Sequence, residues 1–303
     1  ESMKMINLIV LILWTIMFFQ CKPGKEEVAN KDVKIKGEMG LGSSRLDLDE
    51  QYNIKWNRED EVYMMSNGAD NTIAVFSVSE MSEDNNMASI ECRYESEMRP
   101  DIMYRNLYYL GNWRHVDDTK ITFSIYEQSG LKSDFGRHFI ASAKDVMFKN
   151  VDEDTYTFPL TPLNSMVSVA CFDMSSLDVK DVTIEYANGY NAINLNYNGI
   201  VESDYVGKNG YTYDKTEILE SYESGPIWVR TLTNETYVVM LPQKKPLPNT
   251  MFYFKNNGKV VASINFPNGV SPGKIYLSHG GKPIAIKPDG MKTDDEVVEY
   301  NFY

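Results

Sequence analysis

Val33-Lys34-Ile35-Lys36-Gly37-Glu38-Met39-Gly40-Leu41 alternates apolar and polar positions without a slip. A strand places successive side chains on opposite faces, so Val33, Ile35, Gly37, Met39 and Leu41 form one row, backed by Lys34, Lys36 and Glu38. Burying Val33, Ile35, Met39 and Leu41 contributes on the order of 6–12 kcal/mol, at roughly 1.5–3 kcal/mol each. The same logic predicts strands at Thr72–Val78, Lys120–Tyr126, Val179–Tyr186, Tyr237–Leu241, Lys259–Ile264 and Lys274–Leu277. Asn-Gly, Pro and Asp clusters punctuate them, as turns require. A helical turn is expected only around Asp101–Tyr109. Short strands with frequent turns predict an all-β chain built of sandwiches or barrels.

Composition agrees. The 303 residues hold 20 Tyr and 13 Phe, and aromatic enrichment favours sheet. With 30 Lys and Arg against 43 Asp and Glu, the net charge is −13. Nucleic acid is a poor partner for such a surface, because phosphate neutralisation by Lys and Arg supplies most of that affinity. At this length two cores are expected. The acids and prolines of Val151–Pro162 suggest a junction, dividing the chain into 46–155 and 156–303.

At the other end, Met5–Phe19 is an apolar run after Lys4, too short for a membrane span and ending at Gln20-Cys21. Residues 1–21 are read as a signal peptide closing on a lipidated Cys21, although Gln20 stands where a small residue is usual. Residues 22–45 then form a tether and a provisional strand. Two or more acyl chains would hold such a protein on a membrane. Cys92 and Cys171 are read as buried free thiols, though an exported chain could also join them.

Catalytic chemistry finds little support. H-E-x-x-H and paired C-x-x-C are absent, and the three His, His115, His138 and His279, are scattered. Gly269-Val270-Ser271-Pro272-Gly273-Lys274 is one residue short of a phosphate loop and precedes a strand instead of a helix. It is read as a turn, as is Ser278-His279-Gly280-Gly281. Asp47-Leu48-Asp49-Glu50 opens a calcium-loop pattern, yet Tyr52 replaces the Gly at position six and Arg58 the Glu at position twelve. Carboxylate pairs such as Glu59-Asp60-Glu61 and Asp117-Asp118 are commonplace in so acidic a chain. No enzyme activity, metal site or cofactor is expected.

Several stretches together resemble the fimbrillin family, subunits of type V pili and related surface lipoproteins of Gram-negative bacteria. They are the start ending at Cys21, Val33–Leu41 running into Gly42–Leu46, and Lys55-Trp56-Asn57-Arg58-Glu59-Asp60-Glu61-Val62-Tyr63. Phe158–Val169, similar to the strand opening the family's second domain, and Asn268–Leu277 complete the set. The resemblance implies two tandem transthyretin-like β-sandwich domains, no catalytic site, and assembly with other subunits by strand exchange at the outer membrane or cell surface. Strand exchange is a form of β-augmentation. Cleavage between Arg45 and Leu46 would free Val33–Leu41 from its covalent tie and expose an apolar groove with two unpaired edges. The C-terminal alternation of Val298, Tyr300 and Phe302 offers a candidate donor strand. The bland reading makes Arg45 an ordinary loop residue. A host or bacterial surface ligand is a further expected partner. The competing reading is a surface glycan-binding lipoprotein using its Tyr and Trp as stacking platforms.

Overall fold

The computed structural model describes residues 31–40, 56–65, 73–85, 87–96, 103–111, 114–116, 120–152, 155–187, 189–196, 204–206, 212–214, 219–242, 245–288 and 297–301. Almost all of their regular structure is strand. The first set comprises β1 (Lys31–Gly40), β2 (Glu61–Met65), β3 (Ile73–Met81), β4 (Met87–Ser96), β5 (Met103–Tyr109), β6 (Arg114–Val116), β7 (Lys120–Ser124), β8 (Glu127–Gln128), β9 (Ala141–Asp152), β10 (Thr155–Pro162) and β11 (Asn164–Ser165). A short 3₁₀ segment, Lys132–His138, lies between β8 and β9. Then come β12 (Ser168–Asp173), β13 (Val182–Tyr186), β14 (Tyr190–Asn196), β15 (Asp204–Val206), β16 (Thr212–Asp214), β17 (Leu219–Ser224) and β18 (Ile227–Val229). The last are β19 (Thr236–Met240), β20 (Thr250–Asn256), β21 (Lys259–Phe266), β22 (Lys274–Ser278), β23 (Ile284–Ala285) and β24 (Val297–Asn301).

Each strand predicted from alternation is found. In β7, Ile121 and Phe123 are buried between partly exposed neighbours, and in β20 Thr250, Phe252 and Phe254 are the buried row. Asn257 and Gly258, with φ of 48° and 76°, form the two-residue turn between β20 and β21. Those left-handed angles are what an Asn-Gly hairpin of the primed type demands. The Gly280-Gly281 turn also has positive φ, and Ser278 bridges to Lys282 across it.

The helical turn expected around Asp101–Tyr109 is not formed. Met103–Tyr109 is β5, paired antiparallel to β2 on one side and β9 on the other. Leu107 and Tyr108 are both fully buried. Pairing on both edges and cover on both faces outweigh a weak local helical preference.

The first sheet runs β10-β1-β4-β3-β2-β5-β9, with β11 beside β9, and β9 returns to pair with β10. These pairings close a circuit, a barrel-like ring whose interior holds Met39, Val62, Phe76, Ile90, Phe148 and Phe158 among its buried residues. Closure removes sheet edges. The remaining strands build β19-β12-β22-β24, β21-β20-β13-β18-β8 and β17-β14-β7-β6, with β15–β16 as a separate hairpin. Phe172 of β12 meets Phe254 of β20 edge-on at 5.4 Å, and Phe266 of β21 meets Tyr276 of β22 at 5.2 Å. Two of these sheets therefore pack through an aromatic layer.

Sheet membership does not follow the division drawn at 155/156. The acid- and proline-rich junction lies within a β9–β10 hairpin, where Thr155 pairs with Asp152, so Thr155–Pro162 belongs to the first ring. Phe158 likewise sits in that ring, and the later sheets begin with β12. In the other direction, β6 to β8 leave the first half: β7 pairs with β14 and β8 with β18. Prolines within β10 are compatible with pairing because Pro159 falls at the register shift between Gly37 and Met39 of β1, where β10 bulges.

Candidate functional site

The segment that closes the ring is the candidate site. β1 pairs parallel with β10 and antiparallel with β4, so both its backbone edges are occupied. Its alternation has a direct structural consequence: Lys36 and Glu38 are exposed, whereas Met39 is fully buried. Lys36 Nζ lies 3.9 Å from Glu91 Oε2 of β4, an exposed pair that contributes little. Buried apolar area and two ladders of hydrogen bonds hold the strand; charge does not.

Gly37 marks the closest approach. It pairs with Ile90 on β4 and Phe158 on β10, and the Phe158 ring fills the space a side chain would need. Phe158 packs edge-on against Phe148 at 5.1 Å and Phe76 at 6.1 Å, so β1 is seated on an aromatic cluster. Glycine within a strand costs roughly 0.5–1 kcal/mol in backbone entropy. Here it also makes the row one side chain short.

Of the residues singled out in the sequence, Met39 lies in the ring's core. Val33 and Ile35 lie on the β1 backbone, paired with Tyr94 and Cys92. Cys21, Leu41, Arg45, Leu46 and Phe302 fall outside the described residues. Val298 and Tyr300 lie on β24, half-buried and paired with Leu277 and Ile275 of β22. The candidate donor strand is therefore docked on its own chain, next to a single neighbour among the described residues.

Two motifs acquire physical roles. Asn57 N–H donates to Asp60 Oδ2 at 2.8 Å, and Asp60 N–H returns to the Asn57 carbonyl at 3.2 Å, so Trp56–Asp60 is a carboxylate-capped turn leading into β2. Near the end of the chain, Tyr276 is buried and its hydroxyl accepts from Ser271 N–H at 2.8 Å, pinning the turn before β22. Burial pushes that phenol up to about 12. Cys92 and Cys171 are buried and free, and burial raises both thiols to about 12. Among the described residues no group of His, Cys, Asp or Glu is arranged to hold a metal ion. Nor is any described helix long and apolar enough to cross a membrane.

Two contacts that alternation does not reveal tie separate sheets together. Gln128 is buried; its amide donates to the carbonyls of Ile125 at 3.0 Å and Val239 at 2.8 Å. Its oxygen accepts from Val239 N–H at 2.8 Å, so the side chain acts as a strand rung between β8 and β19. Glu220 of β17 takes Lys144 of β9, and Tyr108 of β5 donates to it at 3.4 Å. Burial and that carboxylate together push the Tyr108 phenol well above its usual range.

No protein-family model matches the sequence, and no curated protein matches it. Solved structures do match over most of the chain. A proposed cell adhesion protein from Bacteroides ovatus aligns with 12% identity and a TM-score of 0.39, covering 90% of this chain and 97% of that one. The tip fimbrial protein Mfa3 from Porphyromonas gingivalis aligns with 10% identity and a TM-score of 0.37, covering 89% and 99%. A fimbrial assembly protein from Parabacteroides distasonis aligns with 11% identity and a TM-score of 0.35, covering 89% and 96%. Likeness this distant carries no argument about mechanism. The chain is similar, over about nine-tenths of its length, to solved fimbrial and cell adhesion proteins.

Proposed function

We propose that this protein is a structural or adhesive subunit of a bacterial cell-surface pilus, exported as a lipoprotein through Cys21 and assembled by proteolysis-triggered strand exchange. The observation that supports the reading most is the position of β1. An N-terminal strand, continuous with a segment containing Arg45-Leu46, fills the gap between β4 and β10 and closes the first ring.

Physical chemistry makes exchange the natural outcome of its release. Removing β1 uncovers two strand edges and the apolar seat of Met39, a combination that recruits another strand. Each backbone bond contributes about 0.5–1.5 kcal/mol net, so a simple departure is costly, whereas replacement by an incoming strand restores the same bonds. Because the Phe158 ring fills the space beside Gly37, an incoming strand fits this groove best with a small residue at the matching position.

The test treats the purified precursor with an Arg-specific protease and follows the release of the β1 peptide by mass spectrometry, with SDS-resistant ladders as the readout of assembly. Ladders that require cleavage and vanish in Arg45→Ala support the mechanism. Wild-type and Arg45→Ala chains that assemble equally, with β1 still attached, would overturn it. Labelling with a palmitate analogue, lost in Cys21→Ser, tests the lipid anchor separately.

A further inference from the structure

At one end of the ring, the Trp56–Glu61 turn, Asn85 of the β3–β4 turn, Gly111 after β5 and the 3₁₀ segment enclose an open cavity of about 670 Å³. That volume is in the range of small-molecule sites. No residue of β1 lines it.

Its lining sorts into groups committed to the fold and groups that are not. Asp60 caps its own turn, Glu61 accepts from Tyr63 at 2.6 Å, and Arg137 lies 3.7 Å from Asp134. Arg58 and Glu59 are exposed, and among the described residues neither has an ion-pair or hydrogen-bond partner. Trp56 and Tyr109 form a buried aromatic wall, edge to face at 6.3 Å. The Trp56 indole N–H is buried in that wall without an acceptor. An unpaired buried donor costs about 1–3 kcal/mol and calls for a partner.

The chemistry of this wall selects a ligand class. Guanidinium, carboxylate and amide groups all line it, offering both donors and acceptors. Carboxylates oppose a strongly anionic ligand, and guanidiniums a strongly cationic one. A hydroxyl group both donates and accepts, so a molecule carrying many of them meets every part of the lining. We propose that this cavity binds a neutral, hydroxyl-rich oligosaccharide, with Arg58 and Glu59 holding its hydroxyls and a hydroxyl oxygen supplying the acceptor that Trp56 lacks.

The experiment applies the purified chain to an array of neutral, sialylated and sulfated glycans, then titrates the best neutral hit by calorimetry. Saturable neutral-glycan binding is expected, weakened about tenfold or more in Arg58→Ala and in Glu59→Gln. Both residues are exposed, and an unchanged unfolding midpoint shows that the variants keep their fold. Binding confined to sulfated or sialylated glycans, binding untouched by both substitutions, or no retained glycan at all would overturn the proposal. The outcome can be told apart from that of strand exchange, because neither substitution alters β1 or Arg45-Leu46 and the two experiments have separate readouts.

Discussion

A Cβ on Gly37 would stand 2.1 Å from Cζ of Phe158, so the ring and the bare backbone are matched across β1 and β10. This pair decides how the first ring closes, since Gly37 and Phe158 are also register partners in the parallel ladder.

Gly37→Ala should therefore act as overpacking, destabilising the folded chain by about 1–3 kcal/mol. Phe158→Leu in the same chain should recover part of that loss by making room. Chemical unfolding of both variants checks the coupling. Simple additivity of the two effects would show that the ring and residue 37 do not share space.

Gln128→Leu should cost about 3 kcal/mol, because it leaves the Val239 N–H and the carbonyls of Ile125 and Val239 without their buried partner. Hydrogen exchange at the Val239 amide should accelerate in the variant. A near-neutral change in the denaturation midpoint would mean that β8 and β19 are held by packing alone.

Neither Cys92 nor Cys171 should react with a thiol reagent at pH 8 in the folded state, since burial raises both to about 12 and hides the sulfur. In a Cys21→Ser background both should titrate fully in denaturant. A mass lower by the hydrogens lost to a disulfide would contradict this reading.

His138 gives the fold an acid-sensitive point. Desolvation holds its pKa down to about 4 from 6.5. The unfolded chain therefore binds the proton first as pH falls, so stability is full above about pH 6.5 and is lost as pH drops toward 4. The loss is roughly 3 kcal/mol across that window. Subtracting the pH profile of a His138→Asn variant from that of the wild type isolates the effect. Parallel profiles would show that His138 protonates equally in both states.

Much of the local architecture was legible in the residues. Alternation at Val33–Leu41 and Lys120–Tyr126 marks strands, and in the latter the buried face of Ile121 and Phe123, because the pleat has a period of two. Asn257-Gly258 marks a hairpin because few residue pairs accept its left-handed angles. The β5 misreading at Asp101–Tyr109 shows the limit: a segment without clear alternation takes its conformation from the strands it meets. The cavity beside Trp56 was equally hidden, as its walls come from turns far apart in sequence. Arg58 and Glu59 look like ordinary turn residues until Gly111 and the 3₁₀ segment face them.

The sequence by itself determined that this is a strand-rich chain, where most strands run, and that Met39 of β1 faces inward. Tertiary structure alone decided partners. That β1 lies parallel to β10, that Thr155–Pro162 stays in the first ring, and that β7 crosses to β14 are all absent from local pattern. The reason is physical. Every strand edge carries the same N–H and C=O groups, so backbone bonding cannot choose among partners. The choice falls to shape, such as a glycine meeting a phenyl ring or a buried amide completing a distant rung, and those contacts exist only once the chain has closed on itself.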